Sequence, residues 1–278
     1  MMKLKTLNNR VFACIGEKKG DHIRENAGFI ISPNGVVVID TCWTLQEASW
    51  MYQQIRSVTE KNIIYVINTH HHPDHVFGNQ IFQAPVIASK SCFEYMRSLM
   101  KTEWTIESLK KNPHSPAIDT IEGLRIVLPE VVFHSRMTLN LTDLELEIVE
   151  LGGHSLDSTI VYLPKEKILF ASDLLFVDRY PTMRSGNFKD WINSLEYLKK
   201  LDANVIVPGH GRLCGIEEVQ SEQDYLIDLE LRIKKLKEMG LGKEEIAQDP
   251  SIPKYWVNDY NRLHKVNIML VYDQLFKG

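Results

Sequence analysis

The stretch INTHHHPDHVFGNQIF, residues 67–82, places four histidines and an aspartate within the six positions from 70 to 75. So dense a run of donors is either a metal centre or a polar turn rich in histidine. The run just upstream, NIIYVINT, is nearly all apolar and reads as a strand, so the cluster falls at a strand's carboxyl end, where loops commonly carry sites. In an extended strand end, residues two apart project to the same side. His70 and His72 therefore converge, and His71 points away. A turn at Pro73 lets Asp74 and His75 face a second position.

Upstream, NAGFIIS and GVVVIDT read as two strands joined by a turn at Pro33-Asn34-Gly35, the second closing on Asp40. From Thr44 the period becomes helical. Thr44 and Glu47 fit a capping box, and Ala48, Met51, Ile55 and Val58 share a face. Residues 91–116 read as a helical insertion ending in the breaker-rich NPHSP, with residues 91–130 a candidate flap over the site. A second β-rich half opens near Val131, with LELEIVELGGH, STIVYLP, KILFASD and later NVIVPGHG as strands. Between the last two, Phe188, Trp191, Ile192, Leu195 and Leu198 mark one face of a helix capped by Asn187. Residues 216–278 read as helical, led by an amphipathic helix from Ile216 to Met239, acidic at its start and basic at its end, as the helix dipole favours. Two sheet-and-helix halves, one opening near residue 28 and one near residue 131, predict an α/β fold. The expected architecture is a four-layer αββα sandwich over residues 1–278, a single domain with the site between the sheets.

Three further donors sit at the ends of apolar strands beside small residues: His154 in LGGHSLDS, Asp173 in LFASDLL and His210 in VPGHG. The set of five imidazoles and two carboxylates suits Zn2+ and also admits Fe or Mn. Apportioned over two divalent metal ions, His70, His72 and His154 hold one, Asp74, His75 and His210 hold the other, and Asp173 bridges. Both ions keep an open position for water or substrate, which marks a catalytic site.

On the GVVVIDT strand ending in Asp40, the HxHxDH run, GGHSLDS, FASDLLF and VPGHG, in this order and spacing, the chain resembles the metallo-β-lactamase superfamily of metal-dependent hydrolases. The resemblance covers most of the chain and implies the αββα sandwich, the ligand assignment above, and Asp40 supporting the metal loop. It is nearest the bacterial β-lactamase-like branch, with departures. The commonest zinc β-lactamases carry Cys where this chain has Asp173 and no ligand at the place of His75. Three residues after Asp173, where those enzymes place a Lys and acyl-homoserine lactonases a Tyr, this chain has Phe176. The glutathione signature of glyoxalase II is missing from DLLFVDRYPTMRSGN. The expected chemistry is a hydroxide shared by two ions, its pKa lowered toward about 7, attacking an ester, lactone, thioester or cyclic amide (β-lactam-like) carbonyl. Asp74 orients the nucleophile and passes a proton. The alternatives are a phosphodiesterase or nuclease on the same ions, or an iron-loaded redox protein.

Selectivity is expected from the loop after Asp173, through Phe176, Arg179, Tyr180 and Arg184, and from the segment around His114; an arginine there can clamp a carboxylate or phosphate. His22, His134 and His264 have no motif around them. At 44% hydrophobic and 24% charged the composition is that of a globular protein, and with a net charge of −4 and dispersed basic residues no nucleic-acid partner is expected. No stretch approaches the roughly 18 apolar residues of a membrane span, and the start lacks a signal peptide's apolar core. The expectation is a soluble, cytoplasmic protein acting on a small molecule, with a homodimer among its open oligomeric states. The four dispersed cysteines read as free, mostly buried thiols.

Overall fold

Branched residues suit the pleated surface of a sheet, and the Val- and Ile-rich runs of this chain assemble into two main sheets. The computed structural model describes residues 2–19, 22–111, 121–183, 185–255 and 261–276. The first sheet has seven strands, in the order Met2–Thr6, Val11–Gly16, Ala27–Ile31, Val36–Ile39, Ile63–Ile67, Val86–Ser89 and Val131–Phe133. The second has five, running in chain order from Arg136–Leu141 through Leu144–Glu150, Thr159–Leu163 and Ile168–Phe176 to Val205–His210.

Alternation along each strand sorts side chains between layers. All four residues of Val36–Ile39 are buried. Val37 and Ile39 join Ile30, Ile67, Leu146, Val161 and Phe170 between the sheets, while Val36 and Val38 pack with Ala48, Met51 and Ile55 of helix Leu45–Val58. On the other side of the second sheet, Leu169, Ala171 and Leu174 meet Trp191 and Leu195 of helix Phe188–Leu198, and Leu226 and Leu229 of helix Ile216–Glu238. The layer order is therefore helix, sheet, sheet, helix, as the patterning predicts. The predicted caps form. Thr44 accepts from Glu47 N–H at 3.2 Å, and Asn187 accepts from the N–H groups of Lys189 and Asp190, each at 3.0 Å. Among the described residues no helix is long and apolar enough to cross a membrane, and all four cysteines are free thiols.

Some boundaries differ from the sequence reading. The first sheet opens at Met2, not near residue 28, because Met2–Thr6 and Val11–Gly16 form a hairpin that continues onto Ala27–Ile31. Val131–Phe133 pairs parallel with Val86–Ser89 and so closes the first sheet, and the second opens at Arg136. The 91–116 insertion is two helices, Lys90–Leu99 and Ile106–Lys111, separated by a turn. NPHSP, with His114, lies outside the described residues. Val58, the last residue of its helix, is 41% exposed and adds nothing to the buried face.

Candidate metal centre

The strand Ile63–Ile67 delivers the histidine run between the sheets. Pro73 then takes the first position of a short helix, Pro73–Val76, where its fixed φ suits the turn; this helix, rather than a simple turn, swings Asp74 and His75 inward. Asp173 projects from the wholly buried strand Ile168–Phe176. Just before it, Ser172 adopts φ +50° and the register with Val205–His210 slips, a bulge that re-aims the next side chain. A Cβ at Gly209 would fall on the Asp173 carboxylate, so only glycine fits there.

All seven predicted donors converge. His72 Nδ1 lies 3.1 Å from His70 Nε2 and 2.9 Å from His154 Nε2. In the second group, Asp74 Oδ2 lies 3.8 Å from His75 Nε2 and 3.5 Å from His210 Nε2. Asp173 stands between them, with Oδ2 3.3 Å from His154 Nε2 and 3.5 Å from His210 Nε2, and Oδ1 3.2 Å from His75 Nε2. The donor atoms of His70, His72, His154 and Asp173 all lie within 4.8 Å of one another, as do those of Asp74, His75 and His210.

The donor chemistry fits a divalent metal. His75 Nε2 and Asp173 Oδ1 are buried and make no hydrogen bond, a costly state that a cation between them resolves. Burial, reinforced by neighbouring imidazoles, pushes His70 well down and His72 to about 3, leaving their lone pairs available. Burial alone would raise Asp74 and Asp173, but the surrounding imidazoles hold both carboxyls below their usual range. Burial also lowers His75 and His210, yet the facing carboxylates outweigh it and raise both. A metal ion displaces such protons when it binds.

The other ring nitrogens are tied back, which is how imidazole ligands are usually oriented. His154 Nδ1 donates to Thr182 O at 2.6 Å, His75 Nδ1 lies 2.9 Å from Asp40 Oδ2, and His72 Nε2 lies 3.1 Å from Ser185 Oγ. His71 does turn away, although residues 69–71 form a bend past the strand's end at Ile67 rather than the extended run expected. Its backbone N–H and Nδ1 lie 2.8 and 2.9 Å from the fully buried Asp157 carboxylate. Sequence reading passes over Asp157, although an acidic residue three positions after His154 was a visible partner for the odd histidine. The pair ties the His70–His72 loop to the loop bearing His154. Replacing Asp157 by Ala strands two buried donors, so the chain is expected to lose about 1–3 kcal/mol of stability and to hold metal less tightly, measured by denaturant unfolding and chelator competition.

Behind the site, Glu222 is fully buried and accepts from Phe176 N–H at 2.8 Å. Burial raises its carboxyl well above the usual range. Between the unfolded and the folded pKa the unfolded chain has released this proton and the folded chain has kept it, so stability falls as pH rises through that window. Glu222→Gln is expected to remove this slope and to raise the melting temperature at neutral pH relative to the parent; thermal melts from pH 4 to 8 test it, and equal melts at pH 7 count against it.

The predicted selectivity residues separate. The Phe176 ring is fully buried and stacks on His210, centroids 5.4 Å apart. Arg179 Nη1 lies 3.1 Å from His210 Nδ1, with its Cζ 5.5 Å from the Phe176 centroid. Tyr180 is buried against Tyr225 and His264 in the helical layer. Arg184 lies outside the described residues.

An αββα sandwich with an HxHxDH loop and three more donors converging between its sheets defines a class of metal-centred hydrolases. Residues 21–210 match the metallo-beta-lactamase superfamily, and the chain belongs to that superfamily, whose members are metal-dependent hydrolases. It is 21% identical over 262 residues to a linear primary-alkylsulfatase of a Pseudomonas species, covering 81% of this chain and 50% of that protein. It is 24% identical over 207 residues to a type 2 metallo-beta-lactamase of Bacillus cereus, covering 72% of each. The solved structure of a stereoselective inverting sec-alkylsulfatase from Pseudomonas sp. superposes with a TM-score of 0.77 at 19% identity, covering 99% of this chain and 50% of that one. The chain spans about half the length of the alkylsulfatases it matches.

Proposed function

We propose that the protein hydrolyses a small-molecule substrate at two divalent ions, one held by His70, His72 and His154, the other by Asp74, His75 and His210, with Asp173 reaching both. The observation that carries this reading is the position of Asp173, 3.2–3.5 Å from histidines of either group. The nitrogen-rich donor set favours zinc. Ions bound there supply Lewis acidity and make hydroxide available near neutral pH.

The chain's own residues shape the rest. Of the seven donors only His72 and Asp74 are partly open to solvent, so substrate arrives on their side. Asp74, with its side chain 24% exposed, can both hold a nucleophilic water and take up its proton. On the closed side, Phe176 and Trp191 each pack 5.5 Å from the His154 ring and keep water out. The scissile bond in this reading is an ester, lactone, thioester or cyclic amide. A sulfate ester is the second reading, favoured by the extent of the match to a linear primary-alkylsulfatase.

Initial rates of the zinc-loaded protein on a β-lactam, a homoserine lactone, a thioester, a phosphodiester and a primary alkyl sulfate test the proposal. Chelator-sensitive turnover of one carbonyl substrate well above the others is expected. Dominant turnover of the alkyl sulfate selects the second reading, and turnover of none by protein that retains zinc contradicts both.

A further inference from the structure

Beneath the cluster, the Nδ1 atoms of His70 and His75, one from each group of donors, lead into the same buried hydrogen-bond chain. Asp40 Oδ2 lies 2.9 Å from His75 Nδ1 and accepts from Thr69 Oγ1 at 2.8 Å, while Asp40 Oδ1 accepts from Thr69 N–H at 2.9 Å. Thr69 Oγ1 lies 3.2 Å from His70 Nδ1 and 2.6 Å from Ser172 Oγ, and Ser172 Oγ stands 3.4 Å from His70 Nδ1. Asp40, Thr69 and Ser172 are all buried. Asp40 and Thr69 follow strands of the first sheet and Ser172 belongs to the second, so the chain spans the interface between sheets.

Chemistry fixes its direction. A histidine that gives Nε2 to a cation keeps its proton on Nδ1, so His70 and His75 must both donate into this chain. His75 donates to Asp40. His70 needs a hydroxyl with a free lone pair, and Thr69 has one because its own proton goes to the Asp40 carboxylate. Ser172 can donate to the other Thr69 lone pair, which satisfies the threonine hydroxyl completely. Ser172 also lines a small cavity of about 10 Å³ shared with Asn26 and Asp40. The two residues that meet across Thr69 are also backbone outliers, Asp40 at φ +55° and Ser172 at φ +50°. Strain of this kind persists where the surroundings fix it, commonly at functional sites.

We propose that Thr69 and Ser172 are positioning residues that join the two metal positions through Asp40, so that the two ions bind as a coupled pair. The proposal rests on the two-ion reading above. Thr69 lies against the ring of His70 alone, yet its loss also removes a donor from the carboxylate that orients His75. Thr69→Val keeps the shape and deletes the hydroxyl. It is expected to weaken zinc binding at both positions by about 10–100-fold, the scale for losing an outer-shell partner, while Thr69→Ser restores it.

The test is stepwise zinc titration of the metal-free protein against a chromophoric chelator, repeated with cobalt(II) to follow each position by its absorption. Weakening at both positions supports the coupling. Weakening at one position only, or at neither, overturns it. If the parent protein itself binds fewer than two ions, the two-ion reading fails first and the coupling falls with it, a result visible without any variant. Should Thr69→Val not fold, Ser172→Ala takes its place, with a smaller loss expected at both positions and an unchanged or one-sided titration overturning the proposal.

Discussion

Asp173→Asn is expected to reduce kcat/KM by at least about 10²–10³-fold, the scale on which a single preorganised electrostatic contact in an active site is lost. The substitution keeps the side chain's shape and removes the carboxylate charge that, among the described residues, reaches both groups of histidines. Asp173 Oδ1 makes no hydrogen bond, and an amide in its place either aims a donor at His75 Nε2, 3.2 Å away, or offers it a weaker neutral oxygen. Metal content should fall below that of the parent, because neither group keeps an ionised carboxylate shared with the other. The fold should survive, since the strand Ile168–Phe176 owes its place to the apolar residues on both its faces. Circular dichroism, metal analysis and kinetics on the same preparation check the three parts. Full activity in a folded variant contradicts the assignment.

Trp191→Ala is expected to cost about 3–5 kcal/mol, as deletion of a fully buried aromatic side chain does. Among the described residues Trp191 is the largest fully buried side chain, and its indole N–H donates to Leu174 O at 3.1 Å. Its ring lies 5.5 Å from His154 and 6.1 Å from Phe176, so the cavity opens directly behind a predicted ligand. Stability and activity should therefore fall together, with the stability loss read by urea unfolding in the metal-free state. A change under about 1 kcal/mol, the ordinary effect of a single substitution, contradicts the packing account.

The same geometry explains what a sequence can and cannot disclose here. The separation of His70 and His72 from His71 is legible from their spacing past a strand end, although residues 69–71 fold as a bend, and the packing of Val36 and Val38 on the Leu45–Val58 helix follows from strand alternation itself. His154, Asp173 and His210 are legible because each closes or interrupts an apolar run beside small residues. Thr69 and Ser172 are not. Their importance depends on a bulge at φ +50° and on two strands from different sheets meeting, which no local period announces. The strand Met2–Thr6 hides because Lys3 and Lys5 lie exposed on a sheet edge and dilute its apolar signal. Val131–Phe133 reads as the start of a new half because its partner, Val86–Ser89, lies far upstream in sequence. Phe176, expected at the substrate, is instead a fully buried ring stacked on His210.

Two ions acting together at this cluster are the proposed source of the protein's activity. The measurement is the hydrolysis rate as zinc is added stepwise to the metal-free protein. The predicted result is no turnover without metal and a rate that climbs to a plateau at two equivalents per chain. A rate indifferent to chelation, or a plateau at one equivalent, would contradict it.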